Sequence, residues 1–216
     1  MGVVGKTASP DNLREALDAL SERDIDMATL LGDNATGVDV GRLENLSRLA
    51  ADYDFPAYVM PGEDETTPNS RANFRQVFGA YDYNFDFKGT RFVLMYSAGG
   101  IVGSKRIFQL RSTLVRFAPS QPVVVWTHTP PVDPLGARND GFLSEIEASR
   151  MLSVMSEYGA DLLITGHIND AHDVDVRDID MRVTSAAEHG RQVLLLTAPS
   201  NPESPDDLQV EAISLD

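Results

Sequence analysis

Four apolar runs of strand length in this chain each end in a short polar cluster. Ala28-Thr29-Leu30-Leu31 leads into Gly32-Asp33-Asn34, and Ala57-Tyr58-Val59-Met60 into Pro61-Gly62-Glu63-Asp64. Val123-Val124-Val125-Trp126 leads to His128-Thr129-Pro130-Pro131, and Leu162-Leu163-Ile164-Thr165 into Gly166-His167-Ile168-Asn169. Between these runs the apolar spacing becomes helical. Ser9-Pro10 supplies an N-cap followed by a proline at the first helical position, with Leu13, Ala16, Leu17 and Leu20 on one face. Leu43, Leu46, Leu49 and Ala50 stripe a second helix that ends before Phe55-Pro56, and Pro56 opens the next strand. Val3-Val4 is a stub of first strand.

The middle third alternates aromatic and polar residues from Tyr81 to Phe87, turns at Lys88-Gly89-Thr90 and returns through Arg91 to Met95, which predicts an antiparallel β-hairpin. Helices over 104–117 and 143–158 then alternate with strands 123–126 and 162–165. The short segments 173–176, 181–184, 192–197 and 208–213 are spaced like a terminal β-meander. The expected architecture is a four-layer αββα sandwich of two mixed sheets in a single domain over 1–216. In open α/β sheets ligands bind at the carboxyl ends of the strands, where loops converge on a rigid frame. Asp33, Glu63, Asp64, His128 and His167 are therefore expected to be neighbours in space.

Composition narrows the chemistry. The chain has no cysteine, so disulfides and thiolate metal sites are excluded and any metal must be held by carboxylate, imidazole, carbonyl or water. Its 33 acidic and 18 basic residues give a formal charge of −15, which repels nucleic acid and anionic lipid over most of the surface. Aspartate outnumbers glutamate 22 to 11, and three lysines stand beside 15 arginines, a balance that suits a high-salt cytosol but that a GC-rich genome also favours through its Arg and Asp codons. No stretch approaches the roughly 20 apolar residues of a membrane span, and the apolar run at the start is too short for a signal peptide. The expectation is a cytoplasmic protein without membrane or nucleic-acid partners.

The order of motifs resembles the calcineurin-like metallophosphoesterase family. Leu31-Gly32-Asp33, Tyr58-Val59-Met60-Pro61-Gly62, Trp126-Thr127-His128-Thr129-Pro130 and Thr165-Gly166-His167 follow the family's sequence of strand-end motifs. The resemblance implies a two-metal phosphoesterase cleft. One ion would need an N-terminal Asp-x-His, the Gly-Asp aspartate and the last histidine of Gly-His-x-His. The other would use that aspartate, an asparagine, the histidine before x-Pro and the first histidine of Gly-His-x-His. Here the window Val4-Gly5-Lys6-Thr7-Ala8-Ser9-Pro10 contains neither residue of the Asp-x-His, and Gly-His-x-His has become Gly166-His167-Ile168-Asn169. The second site keeps Asp33, His128 and His167, with Glu63 at the asparagine position. The implied cofactor is one divalent ion of Mn, Zn or Fe, or none.

Asp64 occupies the place of the family's catalytic histidine, where a carboxylate repels phosphate unless it is protonated. Asn169, Asp170, His172 or Asp173 could supply a lost ligand. Two functions follow from the resemblance. One is a metal-dependent hydrolase of a small phosphoester; the other is a non-catalytic platform for a protein partner, as the retromer subunit of this fold is understood to be. Plainer roles stand beside each residue. Asp33 could cap a turn, His128 and His167 could be satisfied structural histidines, and Glu63-Asp64-Glu65 could be a solvated acidic loop. His172 and His189 read as surface residues. Gly5-Lys6-Thr7 resembles the end of a phosphate-binding loop but lacks its upstream glycine.

Overall fold

A computed structural model describes residues 1–35, 37–67, 70–136, 140–160, 162–187, 189–199 and 207–215. The chain opens with β1 (Gly2–Val4), α1 (Pro10–Ser21), β2 (Ala28–Leu30), α2 (Val40–Ala51), β3 (Ala57–Val59) and α3 (Arg71–Phe78). It continues through β4 (Tyr83–Phe87), β5 (Thr90–Met95), α4 (Ser104–Phe117), β6 (Val123–Thr127), α5 (Glu145–Tyr158) and β7 (Leu162–Thr165). Two hairpins follow, β8 (His172–Val176) with β9 (Ile179–Val183), and β10 (Gln192–Thr197) with β11 (Gln209–Ser214).

One sheet has the order β11-β10-β1-β2-β3 and the other β4-β5-β6-β7-β9-β8. β1, β2 and β3 run parallel, as do β5, β6, β7 and β9, and hairpins make the β11, β4 and β8 edges antiparallel. Both sheets are therefore mixed, and three apolar layers hold them. Leu13, Leu17, Leu43 and Phe74 pack helices α1 to α3 on the outside of the first sheet. Leu110, Leu114, Met151 and Met155 pack α4 and α5 on the outside of the second. Val3, Leu31, Phe92, Val124, Trp126 and Ile164 fill the seam between the sheets. β6 is buried at every position because Val123 and Val125 face the helices while Val124 and Trp126 face the seam.

The local signal at the start of α1 acts as expected. Ser9 Oγ accepts from the backbone N–H of Asn12, with Pro10 at the first helical position. Asp39 and Ser144 cap α2 and α5 in the same way.

Two expectations change. The four terminal strands form no single meander: β8–β9 extends the second sheet and β10–β11 closes the first. β10 is buried on both faces, Val193 against the helices and Leu194 and Leu196 in the seam, so it lies inside the first sheet between β11 and β1. Strand spacing is the same for either sheet and carries no such information. The helix α3 was not expected, because Phe74 is its one buried residue and Ser70 provides no side-chain cap.

Candidate metal centre

The carboxyl ends of β1, β2, β3, β6 and β7 lead to Lys6, Asp33, Glu63, His128 and His167. Ligand atoms of Asp33, Glu63, His128 and His167 all lie within 4.8 Å of one another. His128 Nε2 is 2.6 Å from Glu63 Oε2 and 3.5 Å from Asp33 Oδ2. His167 Nδ1 is 3.3 Å from Glu63 Oε2 and 3.3 Å from His128 Nε2.

Backbone shape permits this convergence. Asp33 and His167 hold φ of 58° and 69°, left-handed conformations that non-glycine residues rarely adopt. Gly32 has φ of 99°, and a Cβ there would meet Gly62 N and His128 Nδ1 at 2.6 Å. A Cβ on Gly62 would collide with Asp33 Oδ1. The two glycines are thus what lets the β2, β3 and β6 loops touch.

Glu65 joins two of those loops from beneath, and nothing in the sequence singled it out from the acidic run around it. Fully buried, its Oε1 accepts from the N–H groups of Asn34 and Ala35 at 2.6 Å, and its Oε2 from those of Asp33 and Gly62 at 2.8 Å. Asn34, also buried, donates from Nδ2 to Gly5 O and Gly32 O. The backbone N–H groups of Thr7 and Ala8 donate to the Asp33 carbonyl, which ties the β1 loop to the same frame.

Electrostatics follow from this packing. Burial works to lower the His128 pKa, but the bond to Glu63, the Asp33 charge and the Leu31 carbonyl raise it to about 9. Burial likewise works to raise that of Glu63, and the two histidine bonds overcome it, holding the carboxyl well below the usual range. Burial and the Asp33 charge push Glu65 up to about 7 against its backbone donors.

Asp64 borders the cluster without joining it. Its N–H donates to Asp33 Oδ1 at 2.9 Å, and its half-exposed carboxylate lies 3.7 Å from Lys6 Nζ. Burial and the Asp33 charge raise its pKa, and Lys6 opposes them. Lys6 Nζ is also 3.4 Å from Asp33 Oδ2, so a residue that reads in sequence as part of an incomplete phosphate loop places an ammonium at the site. Asn169 and Asp170 are exposed and, like His172 and Asp173, stand outside the four-donor group. His189 is a surface residue, whereas His172 is half-buried with its Nε2 unpartnered among the described residues.

The donor set suits a divalent cation: two imidazole nitrogens and two carboxylates, with no sulfur. His128 Nδ1 is 2.6 Å from the Leu31 carbonyl, which orients the ring and directs Nε2 at the centre.

Two mixed sheets stacked between helices, with acid and imidazole donors gathered at strand ends, are the arrangement of the metallophosphoesterases. The chain belongs to the calcineurin-like phosphoesterase family, whose model matches residues 6–170. It is similar in fold to a dimetal phosphatase from Danio rerio, at 14% identity and a TM-score of 0.67, covering 100% of this chain and 98% of that one. A Thermus thermophilus protein shares 11% identity with a TM-score of 0.64, over 100% of this chain and 98% of its own. An anchor protein of the Plasmodium inner membrane complex shares 13% with a TM-score of 0.63, over 99% of this chain and 80% of its own. No curated protein matches the sequence. Among the described residues no helix is long and apolar enough to cross a membrane.

Proposed function

We propose that the protein is a phosphoester hydrolase that works with one divalent ion, held by Asp33, Glu63, His128 and His167. The observation that carries this reading is the meeting of those four donors, from four separate loops, within 4.8 Å. A bound ion there would act as a Lewis acid on the phosphoryl oxygens and lower the pKa of a coordinated water.

The chain's own residues complete the chemistry. Lys6 Nζ, between Asp33 and Asp64, supplies a fixed positive charge on the β1 side, where the Asp-x-His donors of a second ion are missing. It attracts the phosphoryl group and offsets the two carboxylates that would repel it. Asp64, half-exposed and with a raised pKa, is the candidate general acid for the leaving oxygen in its protonated form, the carboxylate form being the one that Lys6 holds. Glu65 keeps the Asp33 and Gly62 backbones at their spacing and touches no substrate.

Titration with Mn²⁺ should raise the melting temperature of the wild type and leave Asp33→Asn unchanged. The loaded wild type should cleave bis(p-nitrophenyl) phosphate, more slowly in Asp64→Asn. Metal binding without turnover on any phosphoester would favour the alternative, a platform that keeps the half-site for assembly. No Mn²⁺ or Zn²⁺ binding at all would end the metal reading.

A further inference from the structure

On the β5–α4 side, a cleft of about 640 Å³ is lined by Arg71, Arg75, Tyr81, Tyr96, Gly99 and Arg106, among others. It adjoins the four-donor cluster through Gly99, whose N–H donates to Glu63 Oε1 at 2.8 Å. A second link runs through Thr66, whose Oγ1 lies 3.3 Å from the Tyr96 hydroxyl and donates to the Gly62 carbonyl.

Three guanidinium groups gather on a pair of buried tyrosines. The Tyr81 and Tyr96 rings are 5.2 Å apart. Arg75 lies 4.9 Å from the Tyr81 centroid, and Arg71 and Arg106 lie 5.6 Å and 5.1 Å from that of Tyr96. Arg106 is engaged, donating to Asp82 Oδ1 at 2.6 Å and to the Val102 carbonyl. Arg71 and Arg75 are not engaged in this way. They lie one turn apart on α3, where like charges repel, and no ion pair joins either to a carboxylate among the described residues. Contact with tyrosine explains how the guanidiniums are oriented. It does not explain why, in a chain with 33 acidic and 18 basic residues, no carboxylate among the described residues is placed against them. A planar, permanently charged fork beside a metal-competent cluster is suited to a phosphate.

We infer that this cleft is a subsite for a second phosphate, so that the substrate is a phosphoester that carries another phosphate. The inference rests on the proposed function for where the first phosphate lies. Arg71 and Arg75 grip the distal phosphate, and Arg106, fixed by Asp82, lines the same cleft. The locally positive cleft also concentrates dianionic substrates against the acidic surface elsewhere.

Calorimetric titration of the full Mn²⁺-loaded chain with butanediol bisphosphate and butyl phosphate tests this. The bisphosphate should bind at least about tenfold more tightly, and the advantage should shrink to less than about threefold in the Arg71→Gln/Arg75→Gln double variant. Arg75→Lys, which keeps the charge and loses the fork, should fall between them. Equal affinities in the wild type, or an advantage that survives in the double variant, would overturn the inference. Chelator-treated protein separates the two readings. Failure of the untreated protein to bind Mn²⁺ ends the metal assignment alone, whereas arginine-dependent bisphosphate binding should persist in the chelator-treated protein, and its absence there counts against the subsite.

Discussion

Replacing Glu65 by alanine removes the acceptor for four buried backbone N–H groups, those of Asp33, Asn34, Ala35 and Gly62. Each donor left unsatisfied costs about 1–3 kcal/mol, or about 8 kcal/mol for the set at mid-range. Against this stands the cost of keeping the carboxylate ionised where burial and Asp33 have raised its pKa from 4.5 to about 7, a rise worth about 3 kcal/mol at neutral pH. The donors win, and the net loss should be about 4–5 kcal/mol. That is a large part of the roughly 5–15 kcal/mol available to a domain, and it corresponds to a fall in melting temperature of about 10–15 °C. Urea unfolding followed by far-UV circular dichroism and by Trp126 fluorescence would measure it. Glu65→Gln, which keeps one acceptor oxygen, should lose about half as much. A loss below about 1 kcal/mol in Glu65→Ala would refute the reasoning, because it would mean that water or relaxed loops satisfy those donors at little cost.

Protonated His128 stabilises the metal-free fold, since its pKa is raised from 6.5 to about 9. That contribution is complete below about pH 6.5 and is lost as pH rises through about 9, so the melting temperature measured in chelator should decline across that window. A cation must displace the same proton, so Mn²⁺ affinity should rise by up to about tenfold per pH unit below about pH 9, with proton release visible as buffer-dependent binding heat. Gly62→Ala forces a Cβ onto Asp33 Oδ1 and should lower both the melting temperature and Mn²⁺ affinity; an unchanged affinity would show that the loops have slack. Lys6→Met removes the ammonium between Asp33 and Asp64 and should raise KM for a phosphomonoester while sparing the fold, as read from steady-state kinetics beside a thermal melt.

Much of this was legible in the chain because the relevant signals are local. The cap at Ser9 and the apolar stripes of α1 and α2 depend on residues a few positions apart. So do the strand-end clusters that deliver Asp33, Glu63, His128 and His167. What escaped was long-range. Glu65 is indistinguishable from a solvated acid until the β2 loop, some 30 residues earlier in the chain, folds over it. Lys6 gained its meaning from carboxylates on two other loops. α3 offers one buried residue and no cap, and the arginines it carries face a cleft made by β5 and its following loop. The last four strands show strand-like alternation, but their choice of sheet is a matter of which faces remain open.

The left-handed backbone at Asp33 has an evolutionary corollary. Such a conformation costs a non-glycine residue about 1–3 kcal/mol, which this chain bears during folding and not when a cation arrives. Asp33→Gly would relieve that strain while deleting a donor, so drift toward thermal robustness and retention of the site pull in opposite directions at position 33.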